Sequence, residues 1–177
     1  VVLGTVAAGL MLGGCGESKT PSVDEGMAAV EALDYNTALQ CFDKAMTDGE
    51  DLRLLYRGQG LAYMGLTQYE EAVTVFEKAL SCSNGRVDAI DYDINYYLAT
   101  AYYKLGNYDS SIGAYSAIID MNPKDRLAYR LRGSVRIVND YDKAKADFDK
   151  AISLGKEDYD QLIDIYLVLE RYGYKEV

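Results

Sequence analysis

Residues 68–80 read Gln68-YEEAVTVFEKA-Leu80, and close variants of this stretch recur three more times along the chain. They are Asp34-YNTALQCFDKA-Met46, Asn107-YDSSIGAYSAI-Ile119 and Asp140-YDKAKADFDKA-Ile152. The aromatics Phe42, Phe76, Tyr115 and Phe148 hold one position in the motif and recur at spacings of 34, 39 and 33 residues. Self-similarity at a period of this size marks a stacked repeat architecture. Such an array usually works by offering a surface, not by chemistry at a point.

A second helical pattern precedes each motif. It reads Arg53-LLYRGQGLAYMG-Leu66, Tyr92-DINYYLATAYYK-Leu105 and Arg126-LAYRLRGSVRI-Val138, and more loosely Ser22-VDEGMAAVEA-Leu33. A small residue recurs in this first helix as Gly26, Gly60, Ala99 and Gly133. Another opens the second helix as Ala38, Ala72, Ser111 and Ala144, four residues before the aromatic. Small side chains let two helices approach closely, and the aromatic fills the gap to the next pair. With only two Pro, at 21 and 123, the chain has few helix breakers.

These paired patterns, over residues 19–158, resemble tetratricopeptide repeats. The resemblance implies an all-α fold, a right-handed α-solenoid of four helix-turn-helix repeats closed by a carboxy-terminal capping helix. The expected divisions are 22–52, 53–86, 87–125 and 126–158 for the repeats, and 159–177 for the capping helix or a truncated fifth repeat. In that family the first helix of each pair, helix A, lines a concave groove that binds peptides. By their place in the repeat, Arg57, Leu61, Met64, Tyr96, Thr100, Tyr103, Arg130 and Ser134 should face it. Arg57 and Arg130 hold matching positions, and a carboxylate or acidic peptide is the natural ligand for such a pair. The competing account pairs the arginines of residues 126–136 with Asp120, Asp125, Asp140 or Asp142, and it favours Arg132 and Arg136 over Arg57 and Arg130. The Lys/Asn clamp with which some members grip a carboxylate terminus is not present.

The amino-terminal residues 1–14 are uncharged and apolar. They are too short to span a bilayer, which needs about 20 residues, but they match the apolar core of a secretory signal. The run ends at Leu12-Gly13-Gly14-Cys15 and turns polar at once. That junction resembles the lipobox of bacterial lipoproteins, which implies lipidation at Cys15, with 15–21 as the linker. An ordinary cleaved signal with an incidental cysteine is the weaker alternative. The expectation is an exported protein, lipid-anchored on the extracytoplasmic face. The start at Val1 without Met or a basic leader suggests a clipped sequence or an unusual start codon. Cys41 and Cys82 are expected to be buried free thiols, too far apart along their helices to bridge.

A net charge of -10 opposes nucleic-acid binding, because phosphates need a field of the opposite sign. The absence of His removes the commonest general base and metal ligand. No nucleophile beside a base, phosphate loop or metal-ligand cluster stands out, so no catalytic, cofactor or metal residue is expected. Asp91, Asp93 and Asn95 imitate the opening of a calcium loop, but Tyr96 stands where that loop needs Gly. Acidic residues near a helix start are the better account. An enzyme or solute-binding protein is the remote alternative.

Local signals point to capping boxes at Ser22 with Glu25 and at Thr67 with Glu70. Extra residues at 87–91 should lengthen the third helix A or the loop before it. The last segment, Asp158-YDQLIDIYLVLERY-Gly173, is apolar on nearly every side. Either the native chain continues or residues 159–172 bury that surface against a second copy or another protein.

Overall fold

Asp34, Asp51, Asp88, Asn107, Asp125, Asp140 and Asp158 each precede a helix and accept a hydrogen bond from its first-turn amides. Those amides have no partner within the helix, so the side chains fix where it begins. The computed structural model describes residues 20–83, 85, 87–155 and 158–174. The signal segment and the Leu12–Cys15 junction lie outside the described residues.

The described residues form nine helices. They are α1 (Pro21–Glu31), α2 (Tyr35–Thr47), α3 (Leu52–Gly65), α4 (Tyr69–Ser81), α5 (Ala89–Lys104), α6 (Tyr108–Met121), α7 (Arg126–Arg136), α8 (Tyr141–Leu154) and α9 (Tyr159–Arg171). Odd-numbered helices are the A helices and even-numbered ones, up to α8, the B helices. Each helix packs on its neighbours in sequence, and α1, α3 and α5 also touch in turn. The result is the expected α-solenoid: four helix pairs and a closing helix. α9 leans on α7 and α8 far more lightly than any earlier helix rests on its predecessor.

The glycine–aromatic pairing works as the sequence implies. A Cβ added at Gly26 would lie 2.5 Å from the Phe42 ring, and one at Gly58 2.3 Å from it. Phe42 is therefore clamped between its own helix A and the next. Gly60 gives the same room to Phe76, and Gly133 to Phe148. Phe42 and Phe76 are fully buried, and Tyr115 and Phe148 nearly so. At the position equivalent to Gly58 the third repeat carries Tyr97, whose ring stacks on Phe76 at 5.9 Å.

Two expectations at the helix starts are corrected. α1 begins at Pro21, so Ser22 lies inside its first turn and cannot cap it. The amides of Ser22 and Val23 instead donate to the Glu50 carboxylate, both at 2.9 Å. At the second site Thr67 sits in the left-handed region with φ 60, closing the turn that ends α3. Gln68 is then the residue before α4, and it makes no side-chain cap.

Leu33, Thr67 and Gly106 share that left-handed turn position between helices A and B. The amide after each reaches back to the last turn of helix A, as in Asp34→Ala29, Gln68→Tyr63 and Asn107→Tyr102. The fourth repeat is one residue shorter here, and Asp140 bonds to Arg136 instead. In the third repeat the added residues divide between the two expected outcomes. α5 has 16 residues against 14 in α3, and the rest extend the preceding loop. Asn95, standing where its neighbours have Tyr56 and Tyr129, is buried and donates to the Asp91 carbonyl at 2.7 Å.

Cys41 and Cys82 are both free. The expectation that both are buried fails, because Cys41 is half-buried and Cys82 is exposed at the end of α4.

Candidate functional site

α3, α5, α7 and α9 stand side by side, and polar side chains on one edge tie each to the next. Arg53 of α3 reaches Asp88 at 2.6 Å and Asp91 at 2.6 Å at the start of α5. Arg57 donates through Nε to Asp93 at 2.6 Å. Tyr96 of α5 donates its phenol proton to Asp125 at 2.8 Å, ahead of α7. Arg126 meets Asp158 at 2.8 Å, and Arg130 meets Asp164 at 3.0 Å in α9. One repeat contributes a donor and the next an acid, so a ladder of charge-assisted bonds runs along the helix-A wall.

This ladder overturns the preference for unpaired arginines at 57 and 130. Both are already paired, because the A-to-A register sets an acid beside each one. The partners expected for Arg132 and Arg136 also change. Arg132 forks onto Asp147 at 3.0 and 2.7 Å and donates to Ser116 at 2.9 Å, while Arg136 reaches Asp147 at 2.8 Å. Asp147 lies mid-helix in α8 facing α7, whereas Asp120, Asp125, Asp140 and Asp142 sit nearer the turns. These two arginines therefore staple helices A and B together.

All eight residues assigned to the groove keep some contact with solvent, and none falls in the core. Leu61 and Met64 rest against the core below them. Thr100 and Ser134 donate to the carbonyls of Tyr96 and Arg130, at 2.9 and 3.0 Å. Their outer faces are therefore small and already satisfied. Tyr96 is half-buried between Tyr92 and Tyr115. Burial pushes its phenol well above the ordinary tyrosine range, partly opposed by the positive charge of Arg130. Tyr103 is the most open of the set at 39% exposure.

Tyr103 and Ser134 meet at one place. With Tyr115, Leu131, Val135, Val168, Arg171 and Tyr172 they line a cavity of about 210 Å³ between α5, α7 and α9. Sequence patterns singled out Ser134 of α7 but not Leu131 and Val135 beside it, nor the wall from α9. Its available signal was the i, i+3, i+4 spacing of Val168, Arg171 and Tyr172 on one side of the last helix.

The imitation calcium loop is taken up by other contacts. Asp91 is buried against Arg53 and the α5 start, Asp93 holds Arg57, and Asn95 bonds to backbone. No group of three or more potential metal-ligating side chains forms among the described residues. Nor is any helix among them long and apolar enough to cross a membrane.

A repeated antiparallel helix pair, glycines under buried aromatics and an open helix-A wall together define a helical-repeat solenoid. Two models of the tetratricopeptide repeat match the chain, over residues 23–87 and 63–135, and the chain carries tetratricopeptide repeats across that span. Among curated proteins it is similar to tetratricopeptide repeat protein 12 of Homo sapiens, at 29% identity over 121 residues, 68% of this chain and 16% of that protein. It is also similar to the STIP1 homolog of Dictyostelium discoideum, at 27% over 111 residues, 62% of this chain and 19% of that protein. The chain thus spans less than a fifth of the length of either. Among solved structures, YrrB, described as a TPR protein with an unusual peptide-binding site, superposes with TM-score 0.70 at 22% identity. The match covers 90% of this chain and 80% of that one. A MamA crystal structure superposes with TM-score 0.72 at 20% identity, over 89% and 84% of the two chains. At these identities the superpositions speak for the fold.

Proposed function

We propose that the protein is an exported, lipid-anchored scaffold that binds a segment of another protein along its helix-A wall and catalyses no reaction. The observation that carries the binding part is the division of labour in each repeat. The conspicuous aromatics are buried packing, while the eight irregular residues between Arg57 and Ser134 keep part of their surface exposed along three successive A helices. A solenoid that exposes one continuous variable wall is suited to binding an extended chain. The description of YrrB as peptide-binding is in keeping with this.

The anchoring part rests on Leu12-Gly13-Gly14-Cys15. Lipid on Cys15 would hold the array at the outer surface of the membrane, and two or more acyl chains make such tethering stable. Metabolic labelling with an alkyne fatty acid tests it: label should appear on the protein and vanish with Cys15→Ser. For the groove, a photo-cross-linking residue placed at Tyr103 or Thr100 in intact cells should capture a discrete protein partner, while one at exposed Asp109 on α6 should not. Equal capture from both positions would sink the groove assignment.

A second reading has its own observation. Tyr159, Ile163, Tyr166 and Leu167 leave a broad apolar face of α9 open, with Ile163 at 55% exposure. Exposed apolar surface of this kind marks an interaction site, and the self-associating reading places a second copy there. Sedimentation as a strict monomer at high concentration would remove it.

A further inference from the structure

The cavity between α5, α7 and α9 carries more information than the wall as a whole. Its sides are the rings of Tyr103, Tyr115 and Tyr172 and the aliphatic side chains of Leu131, Val135 and Val168, with Arg171 as the charged member. At about 210 Å³ it is smaller than the roughly 300–1,000 Å³ that encloses a small-molecule ligand. It suits one large side chain. Ser134 brings no free polar demand, because its hydroxyl already donates to Arg130.

Arg171 stands apart from the other arginines of the described residues. Arg53, Arg57, Arg126, Arg130, Arg132 and Arg136 each face a carboxylate. Arg171, on the last turn of α9, has no ion-pair partner among the described residues. Among the described residues it is the one arginine without a carboxylate, and in a chain of net charge -10 it gives that wall a positive position to offer a ligand. It borders a stretch of that wall where an apolar cavity opens.

We propose that this cavity seats a large apolar side chain of the bound segment, and that the segment's adjacent carboxylate pairs with Arg171. The inference rests on the groove reading and specifies its ligand. It makes the inner face of α9 part of the binding site, not only an end cap. The carboxylate could be an Asp or Glu side chain or a free carboxy terminus, since a guanidinium forks onto either.

The test is selection of a random peptide library displayed on phage against the whole chain. Synthetic copies of the selected peptides are then measured by fluorescence anisotropy. Selected sequences should place a large apolar residue next to an acid or to the free terminus. Amidating the terminus, or exchanging the acid for its amide, separates the two sources. Arg171→Gln should weaken binding by about ten- to a hundredfold, the size expected when a charged hydrogen-bond partner is lost. Arg171→Glu should shift preference toward peptides with Lys in place of the acid. Ser134→Trp should block the cavity, and circular dichroism would check that variant's fold. The exposed Arg171 substitutions keep the test decisive even if Ser134→Trp unfolds. Peptides that bind, and lose binding with Thr100→Trp, yet ignore Arg171→Gln would overturn this inference and leave the groove reading standing. If no peptide is selected, or binding survives both Trp variants, both fall.

Discussion

At the amino-terminal end of the array the Phe42 ring is held by glycines on two sides, from Gly26 and Gly58. At the carboxy-terminal end Phe148 has Gly133 on one side only, and on the other it borders a cavity of about 160 Å³ with Ile165 and Leu169. The same motif thus makes a closed junction between α2 and α3 and an open one between α8 and α9. Glycine lets a helix backbone approach the ring until no space remains. α9 offers branched side chains instead and stops short. The closed junction fixes how near α3 comes to the Phe42 ring, while the open one leaves space beside Phe148.

Truncating the two rings should break this comparison most directly. Phe42→Ala should cost about 4–5 kcal/mol, the upper end for a buried aromatic, because the glycines on both sides are backbone and cannot collapse inward. Phe148→Ala should cost nearer about 3 kcal/mol, since part of its surroundings is already empty. Urea unfolding of the two variants measures the gap. Equal losses would mean that the terminal junction is as rigid as the inner one.

Next in size is the reverse perturbation. Gly58→Ala would place a methyl 2.3 Å from Phe42 and should destabilise by about 1–3 kcal/mol through overpacking. Gly113→Ala, in α6 with nothing within 4 Å of its added Cβ, should instead stabilise by up to about 1 kcal/mol from helix propensity. Opposite signs from one chemical change would show that steric fit to the ring, not helix preference, dictates glycine at 58.

How much could be read in advance follows from the same distinction. Phe42, Phe76, Gly60 and Gly133 were legible because each ring meets a glycine of its own repeat unit, a pairing that recurs with the repeat. Arg57 was misjudged because its partner Asp93 lies 36 residues away, across the segment where the third repeat is lengthened. No periodic pattern carries that register. The helix starts at Ser22 and Thr67 were misassigned for a local reason: Pro21 already opens α1, and Thr67 is drawn into the left-handed turn closing α3. The walls given by Val168, Arg171 and Tyr172 depend on how α9 lies against α7, which three-dimensional packing decides.

The turn between helices A and B gives a smaller effect. Thr67→Gly should stabilise by up to about 1 kcal/mol, because a β-branched residue at φ 60 is strained there and glycine is not. Gly106→Ala should cost a similar amount, about 1 kcal/mol, although its Cβ would meet nothing. The shorter A-to-B turn of the fourth repeat lacks a residue of this kind, so Asn139→Gly should gain nothing. A clear gain at 139 would show that this turn too relaxes toward the left-handed form.

The smallest effect separates the ladder from the packing beneath it. The Arg53 guanidinium beside Asp88 holds that carboxyl well below the usual carboxylate range. A carboxylate whose folded affinity for protons is lowered contributes stability above its unfolded pKa of about 3.9, and loses it as the pH falls below that. Asp88→Asn keeps a capping side chain at the start of α5 but removes the charge. The variant should be slightly less stable than the parent at neutral pH, and the difference should close as both are taken below about pH 4. Because the Asp88 side chain is 47% exposed, high salt should narrow the difference as well. Chemical denaturation across pH measures this. A difference that stays constant down to strongly acidic pH would mean that Asp88 acts through its cap alone, and that the ladder aligns the A helices without stabilising them.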